Sequence, residues 1–361
     1  MALNQKMQWL LDQREMRSTT SVLGFDIIIT PDRRVKIVEI NGANSGSSGL
    51  KKLSGGERDI YGEMFEYIGS FSPKIYTAGK LQNSKLSSFV AELDLNHAFR
   101  EGVFRQIVPK DRSRFVLPRV PEEQNIEAVI WNHLGDRAIF DEDRFIVINP
   151  YAIERATGSK DVMDVLFNGD FGLRPLTHSI LVANEEQLVL EQIAESKSDY
   201  FVIKPTDGIQ GRKVKIFSKQ DVLDRGAVEL YRSIEDGPYH EPNLILEELI
   251  PSQEIYSDKT GNNHFGCMRY LVVVNSDDGD MSIKHFGGYW RLSPKSIASG
   301  DLAGRLIANY SNGAIPEFVS EEDLALVSGV VDEFLPVLYK RLLRLPLNER
   351  PDDLKLIDYC Y

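Results

Sequence analysis

The sequence predicts an α+β protein of two or three lobes around a shared cleft, one of them rich in antiparallel strands. Three observations lead there. At 361 residues the chain exceeds what one hydrophobic core organises. β-rich runs crowd its second half, at 200–204, 214–217, 244–249, 268–274 and 282–287. A long amphipathic stretch, 321–345, then reads as a helix with Pro336 as a candidate kink.

The earlier part of the chain is mixed. Residues 5–17 fit a short helix. Phe25–Thr30 and Val35–Ile40 flank the turn Pro31-Asp32-Arg33-Arg34 and make a hairpin. It is predicted to pack through Phe25, Ile27, Val38 and Ile40, and it runs into a Gly/Ser/Asn-rich loop at 41–49, which reads as mobile or as ligand-facing. Residues 57–148 alternate helical and strand patterns, with strands at 128–131 and 145–148. Helices are expected at 159–168 and 185–197. No repeat or low-complexity tract interrupts the chain.

Hydrophobic residues make up 42% and charged residues 27%, the balance of a soluble globular protein. No run approaches the roughly 18 apolar residues that span a bilayer, and residues 1–21 lack the apolar core of an export signal. Cys267 and Cys360 make no disulfide framework, and no Cys/His cluster suggests zinc. A cytoplasmic setting is expected. A net charge of −12 argues against a nucleic-acid partner, since each backbone phosphate wants a cation. It leaves open a phosphate ligand held by a few local cations.

Three constellations carry chemistry. In YFVIK-PTDGIQG a strand delivers Lys204 at its end, and a loop bearing Gly208 and Gly211 follows. A nucleotide is served by such an arrangement, because the lysine offsets phosphate charge and bare backbone approaches closely. It is neither a Walker A loop nor a Rossmann fingerprint, and a plain hairpin with a surface lysine fits the same residues. In the second, a strand carries Glu247, Glu248, Leu249 and Ile250 into an irregular segment ending at Glu254. Free backbone groups there suit an adenine edge and Glu254 suits ribose hydroxyls, although solvated glutamates at a strand end are the plainer reading. The hairpin is the third. Asp26, Glu39 and Asn41 supply hard oxygen ligands of the kind Mg²⁺ takes, and an acid inside FDIII is costly to bury without a partner. Arg269 in a strand and Arg291 after a Gly-Gly-Tyr-Trp turn face either a cleft or an ion-pair partner, and the amide of Asn309 precedes a Ser-Asn-Gly turn.

Together these residues resemble the ATP-grasp superfamily. Over 149–340 the motifs stand in that family's order. The segment Asn149 to Lys160 with Pro175-Leu-Thr177 is similar to its opening segment, which makes Lys160 the first ATP lysine and Lys204 the second. The resemblance implies that 206–213 covers the phosphates, Glu247–Ile250 form the adenine hinge, and Glu254 meets ribose. It also implies that Arg269, Arg291 and Asn309 contact phosphate and the acyl intermediate. The metal strand pair expected after the last helix is found at 26–41 instead, so the chain looks circularly permuted.

That resemblance implies an ATP-grasp fold with two α/β lobes enclosing the nucleotide and a small α/β substrate lobe. The ranges are 1–50 for the metal hairpin, 51–150 for the substrate lobe, 151–243 for the nucleotide lobe and 244–361 for the lobe that the hairpin completes. The implied reaction uses ATP and Mg²⁺ (two ions, with Mn²⁺ able to substitute). It activates a carboxylate as an acyl phosphate, joins it to an amine, and releases ADP and phosphate. A phosphotransferase on the same fold and a non-catalytic nucleotide-binding regulator are the alternatives, and a homo-oligomer is left open. No motif identifies the carboxylate or the amine. The basic stretch Arg105, Lys110, Arg112, Arg114 and Arg119 suits an acidic substrate or a solvated face. Asp26→Asn and Glu39→Gln are expected to keep the fold and stop turnover.

Overall fold

Nine described strands join in one mixed sheet, and the hairpin near the N-terminus sits inside it. The computed structural model describes residues 19–42, 60–69, 75–78, 104–107, 128–132, 145–149, 153, 156–157, 160–167, 172–175, 177–180, 186–205, 214–233, 244–277, 280–299, 306 and 313–343. The expected helix at 5–17, most of the loop 41–49, Lys110 to Arg119, Gly208, Gly211, Asn309 and the tail beyond 343 lie outside them.

In chain order the elements begin with β1 (Thr19–Ile29), β2 (Val35–Asn41), α1 (Ile60–Gly69), β3 (Ile75–Ala78), β4 (Phe104–Ile107), β5 (Ala128–Asn132) and β6 (Phe145–Ile148). There follow α2 (Lys160–Phe167), β7 (Thr177–Ile180), α3 (Glu186–Glu195), β8 (Tyr200–Pro205), β9 (Lys215–Ser218), α4 (Lys219–Arg225) and α5 (Ala227–Arg232). The chain continues through β10 (Leu244–Glu248), β11 (Ile255–Ser257), β12 (Asn262–His264), β13 (Gly266–Asp277), β14 (Asp280–Leu292), β15 (Ile315–Phe318) and α6 (Glu321–Leu343). The large sheet runs β15-β14-β13-β1-β6-β5-β3-β4, with β2 on β1. A second sheet runs β7-β10-β8-β9, and β11 pairs β12. No helix among the described residues is long and apolar enough to cross a membrane.

β1 is the hinge of the architecture. One edge pairs antiparallel with β13 from Thr19 to Ile27, although some 240 residues separate them. Its other edge changes partner along its length, from parallel β6 at Thr20 to antiparallel β2 from Gly24 onward. Asn149 fills the gap between the two partners. Its amide accepts from Val22 N–H at 2.6 Å, donates to Val22 O at 2.9 Å, and so imitates a strand peptide. Its φ of 57° ends β6 there, in a conformation that asparagine tolerates.

Alternation sorts β1 into two faces. Leu23, Phe25, Ile27 and Ile29 enter a core with Met268, Tyr270, Val272, Val274, Trp290 and Leu292 from β13 and β14. Helix α6 covers that core with Val327, Val331, Phe334, Leu338 and Leu342, a helical stripe that runs through Pro336. Phe25 meets Phe334 edge to face at 5.7 Å. Each such fully buried side chain contributes about 1.5–3 kcal/mol. The hairpin tip is tied down as well, since Arg33 pairs with Asp323 at 2.5 Å and Glu322 at 3.0 Å at the start of α6.

Two expectations are corrected by bulges. In β2 one extra residue is inserted opposite Asp26/Ile27, so Glu39 faces Asp26 while Ile37 faces Ile27. Ile37, fully buried, therefore joins Ile40 in the core in place of Val38, which stays half-buried. The Gly-Gly-Tyr-Trp segment is continuous strand in β14 with an irregularity beside Phe286, not a turn. Gly288 is required there because a Cβ would stand 2.3 Å from the Arg269 carbonyl oxygen.

Candidate functional site

The second face of β1 carries Val22, Gly24 and Asp26, and it gathers charge. Asp26 lies opposite Arg269 of β13, and Arg291 enters from β14 one strand further. Arg269 Nε is 2.6 Å and Arg291 Nη2 2.7 Å from the same oxygen, Asp26 Oδ1. Gly24 makes room for this, since a Cβ there would come within 3.2 Å of the Arg269 side chain. Arg291 also donates to Cys267 Sγ at 3.3 Å. Burial, reinforced by Asp26, pushes the Cys267 thiol up to about 11 against the pull of the two arginines, so it stays protonated at neutral pH.

A second cluster forms on the small sheet. There Phe201, Ile203, Leu244 and Leu246 pack against α3, α4 and α5, so alternation turns Lys204 and Glu247 to the opposite face. Register places Lys204 across from Ile245, diagonal to Glu247. Lys204 Nζ donates to Glu247 Oε2 at 2.5 Å, and Arg174 Nη2 donates to Oε1 at 3.1 Å. Lys160, the first residue of α2, is buried, adds to the field on Glu247, and lies 3.5 Å from Glu39. Glu39 thereby links the clusters, because it also sits directly opposite Asp26.

Five cationic side chains (Lys160, Arg174, Lys204, Arg269 and Arg291) are each less than a tenth exposed. Beside them Asp26 and Glu247 are the carboxylates buried to the same degree, and the other such carboxylate among the described residues, Asp323, pairs with Arg33 at the hairpin tip. Glu39 and Asp164, the latter 3.7 Å from Arg174, are 32% and 28% exposed and stand at the rim. Burial alone would raise Asp26, but Arg269 and Arg291 outweigh it and hold the carboxyl below its ordinary 3.8. Burial likewise opposes ionisation of Glu247, and Lys204 and Arg174 bring it below its ordinary 4.5.

Both groups bind protons more weakly in the folded chain than in the unfolded one. Their stabilisation is therefore complete above those ordinary values and is lost as pH falls through the lowered ones. Urea midpoints are expected to hold from neutral pH to about 5 and then to decline, less steeply in Asp26→Asn. A midpoint that stays level from pH 5 to 3 would overturn this.

The remaining sequence-predicted residues are more dispersed. Glu248 accepts from Ser196 Oγ at 2.6 Å. Leu249 N–H is already given to Tyr200 O at 3.0 Å, so a ligand could use only its carbonyl. Ile250 follows, half-buried, and exposed Glu254 accepts from Asn263 Nδ2 at 3.1 Å. Arg174 and Cys267 are the site neighbours that the sequence did not single out for chemistry. Arg174, the residue before Pro175, carries no spacing signal.

The hairpin offers oxygen-only donors, two carboxylates and an amide, which suit Mg²⁺. The amide nitrogen of Asn41, opposite Gly24, is buried with no hydrogen-bond partner among the described residues. Turned about its last bond, it presents oxygen to a cation instead. Asp26 is the constraint: both arginines already hold it, so a bare cation meets a neutralised carboxylate. The set fits a metal that arrives with anionic phosphate oxygens to engage the arginines. Among the described residues, no group of three His, Cys, Asp or Glu side chains could hold a metal.

No protein-family model matches this sequence, and no curated protein matches it. Among solved structures it is similar to a Methylobacillus flagellatus protein described as a γ-glutamylcysteine synthetase (95% of this chain and 93% of that one, 13% identity, TM-score 0.46). It is similar also to a glutathione synthetase-like effector of Globodera pallida in its apo form (80% and 77%, 15% identity, TM-score 0.42). A third likeness is to D-alanyl-alanine synthetase A of Vibrio cholerae (74% and 82%, 10% identity, TM-score 0.41). At TM-scores under 0.5 these likenesses fix neither the family nor the activity.

Proposed function

We propose that this chain is an ATP-dependent ligase of the ATP-grasp type, circularly permuted. It activates a carboxylate as an acyl phosphate, joins it to an amine, and releases ADP and phosphate. The observation that supports the reading is the buried excess of cations in the two clusters, where Lys160, Lys204, Arg269 and Arg291 stand beside Asp26 and a Glu247 that Arg174 also holds, in a chain of net charge −12. Desolvated cations are costly unless an anion meets them. A polyphosphate with its own charge-balancing metal is the ligand that such a site stabilises.

On this reading Lys160 and Lys204 hold phosphate oxygens, and the 206–213 loop with Gly208 and Gly211 covers them. Glu247 to Ile250 and Glu254 receive the nucleoside. Asp26, Glu39 and Asn41 hold Mg²⁺, which supplies Lewis-acid neutralisation of phosphate oxygens. Arg269 and Arg291, with Asn309, bear on the charge that shifts as the substrate carboxylate attacks the γ-phosphorus and ADP departs. The amine then attacks the acyl carbon and phosphate leaves, carrying the bonding electrons. The chain needs no nucleophile for this, and the protonated Cys267 thiol offers none.

The test is product analysis with ATP, Mg²⁺ and arrays of carboxylates and amines. ADP and inorganic phosphate in equal amounts are expected, each rising only when both co-substrates are present. AMP with pyrophosphate would overturn the proposal, and a phosphorylated acceptor without free phosphate would make the chain a phosphotransferase.

A further inference from the structure

Within that reading, the geometry points to Arg174 as the positioning residue that aims the hairpin's oxygen donors at the metal. The bulge in β2 decides which side of the sheet its side chains occupy. Without the extra residue, regular alternation would put Ile37 on the same face as Glu39 and Asn41. With it, Ile37 and Ile40 both reach the core while Glu39 stays opposite Asp26 and Asn41 opposite Gly24. A bulge leaves backbone groups outside the ladder, and those groups need partners. Arg174 supplies them, donating through one Nη to Ile37 O at 3.1 Å and to Val38 O.

The segment around Arg174 grips the same strand by its backbone. Ile37 N–H donates to Leu173 O at 2.8 Å, and Lys36 Nζ donates to Gly172 O at 2.5 Å. The other Nη of Arg174 reaches Glu247 at 3.1 Å, its Nε is 3.7 Å from Asp164, and its guanidinium lies over the Phe167 ring at 5.7 Å. One planar fork thus ties the bulge of the metal hairpin to the acid that holds Lys204 and to the helix that begins with Lys160. A lysine has the charge but not the fork. Arg174 touches neither metal nor nucleotide on this account, and it acts through the strand.

The experiment measures ADP affinity by calorimetry across a Mg²⁺ series in the full chain and in Arg174→Lys and Arg174→Gln. ADP serves as the probe so that no turnover intervenes. Lysine keeps a cation beside Glu247 and is expected to fold. Glutamine keeps a donor for the carbonyls and secures the test should lysine fail. The half-saturating Mg²⁺ concentration is expected to rise about 10- to 100-fold in Arg174→Lys. ADP affinity at saturating Mg²⁺ should stay near that of the parent. A residue that only stabilises the fold would lower the melting temperature and leave the Mg²⁺ midpoint in place. That result, in either folded variant, overturns the inference. Absence of Mg²⁺-dependent ADP binding in the parent is a different failure, since it removes the proposed function itself.

Discussion

Asp26→Asn is expected to lower turnover at least ~100-fold and, at the same time, to destabilise the ligand-free chain by about 3–5 kcal/mol. The sequence alone led us to expect an isosteric change that spares the fold. Burial alters that expectation, because Arg269 and Arg291 share one oxygen of Asp26 at 2.6 and 2.7 Å, and neutralising the carboxylate takes their shared buried anion from two desolvated guanidinia. Glu39→Gln is the matched comparison. Its carboxylate is 32% exposed and 3.5 Å from Lys160, so the stability change should stay below about 1 kcal/mol while turnover falls as far. Denaturant unfolding and single-turnover assays on both variants separate the two effects. Inorganic tripolyphosphate should raise the melting temperature of Asp26→Asn more than that of the parent, since the anion replaces the missing charge. Normal turnover in Glu39→Gln would remove the hairpin from the site.

Much of the local structure was legible because it depends on neighbours in sequence. Two β-rich runs about a Pro-Asp turn could only make a hairpin, and β1 and β2 are that hairpin. Lys204 and Glu247 were legible as strand residues, but their contact was not. It depends on the β8–β10 register, which sets residues 43 apart in sequence side by side. The same holds for Asp26 and its arginines, joined by the β1–β13 ladder. The bulges were invisible for a further reason. Gly287-Gly288 has the composition of a turn, yet Gly288 is needed for the approach of the Arg269 carbonyl, a contact no local pattern encodes. Val38 and Ile37 are equally apolar, so only the tertiary grip of Leu173 and Arg174 on β2 decides which is buried.

The second large effect is expected at Lys204. Lys204→Ala should weaken ATP binding in the presence of Mg²⁺ by about 10- to 150-fold, the range of a lost charge-assisted hydrogen bond. Lys160→Ala should weaken it as well. Loss of binding alone would not separate a phosphate ligand from a structural ion pair, since Lys204 also holds Glu247 at 2.5 Å and both are almost fully buried. The double variant Lys204→Ala/Glu247→Gln makes the separation. Removing Lys204 leaves Glu247 with Arg174 at 3.1 Å and the field of Lys160, and neutralising the acid then relieves part of the remaining penalty. A stability coupling of about 0.5–3 kcal/mol between the two changes is expected. ATP affinity should not recover with stability, because the cation facing phosphate is still missing. If the double variant regains both stability and ATP binding, Lys204 serves only to neutralise Glu247. If Lys204→Ala and Lys160→Ala bind ATP as the parent does, the nucleotide lies elsewhere.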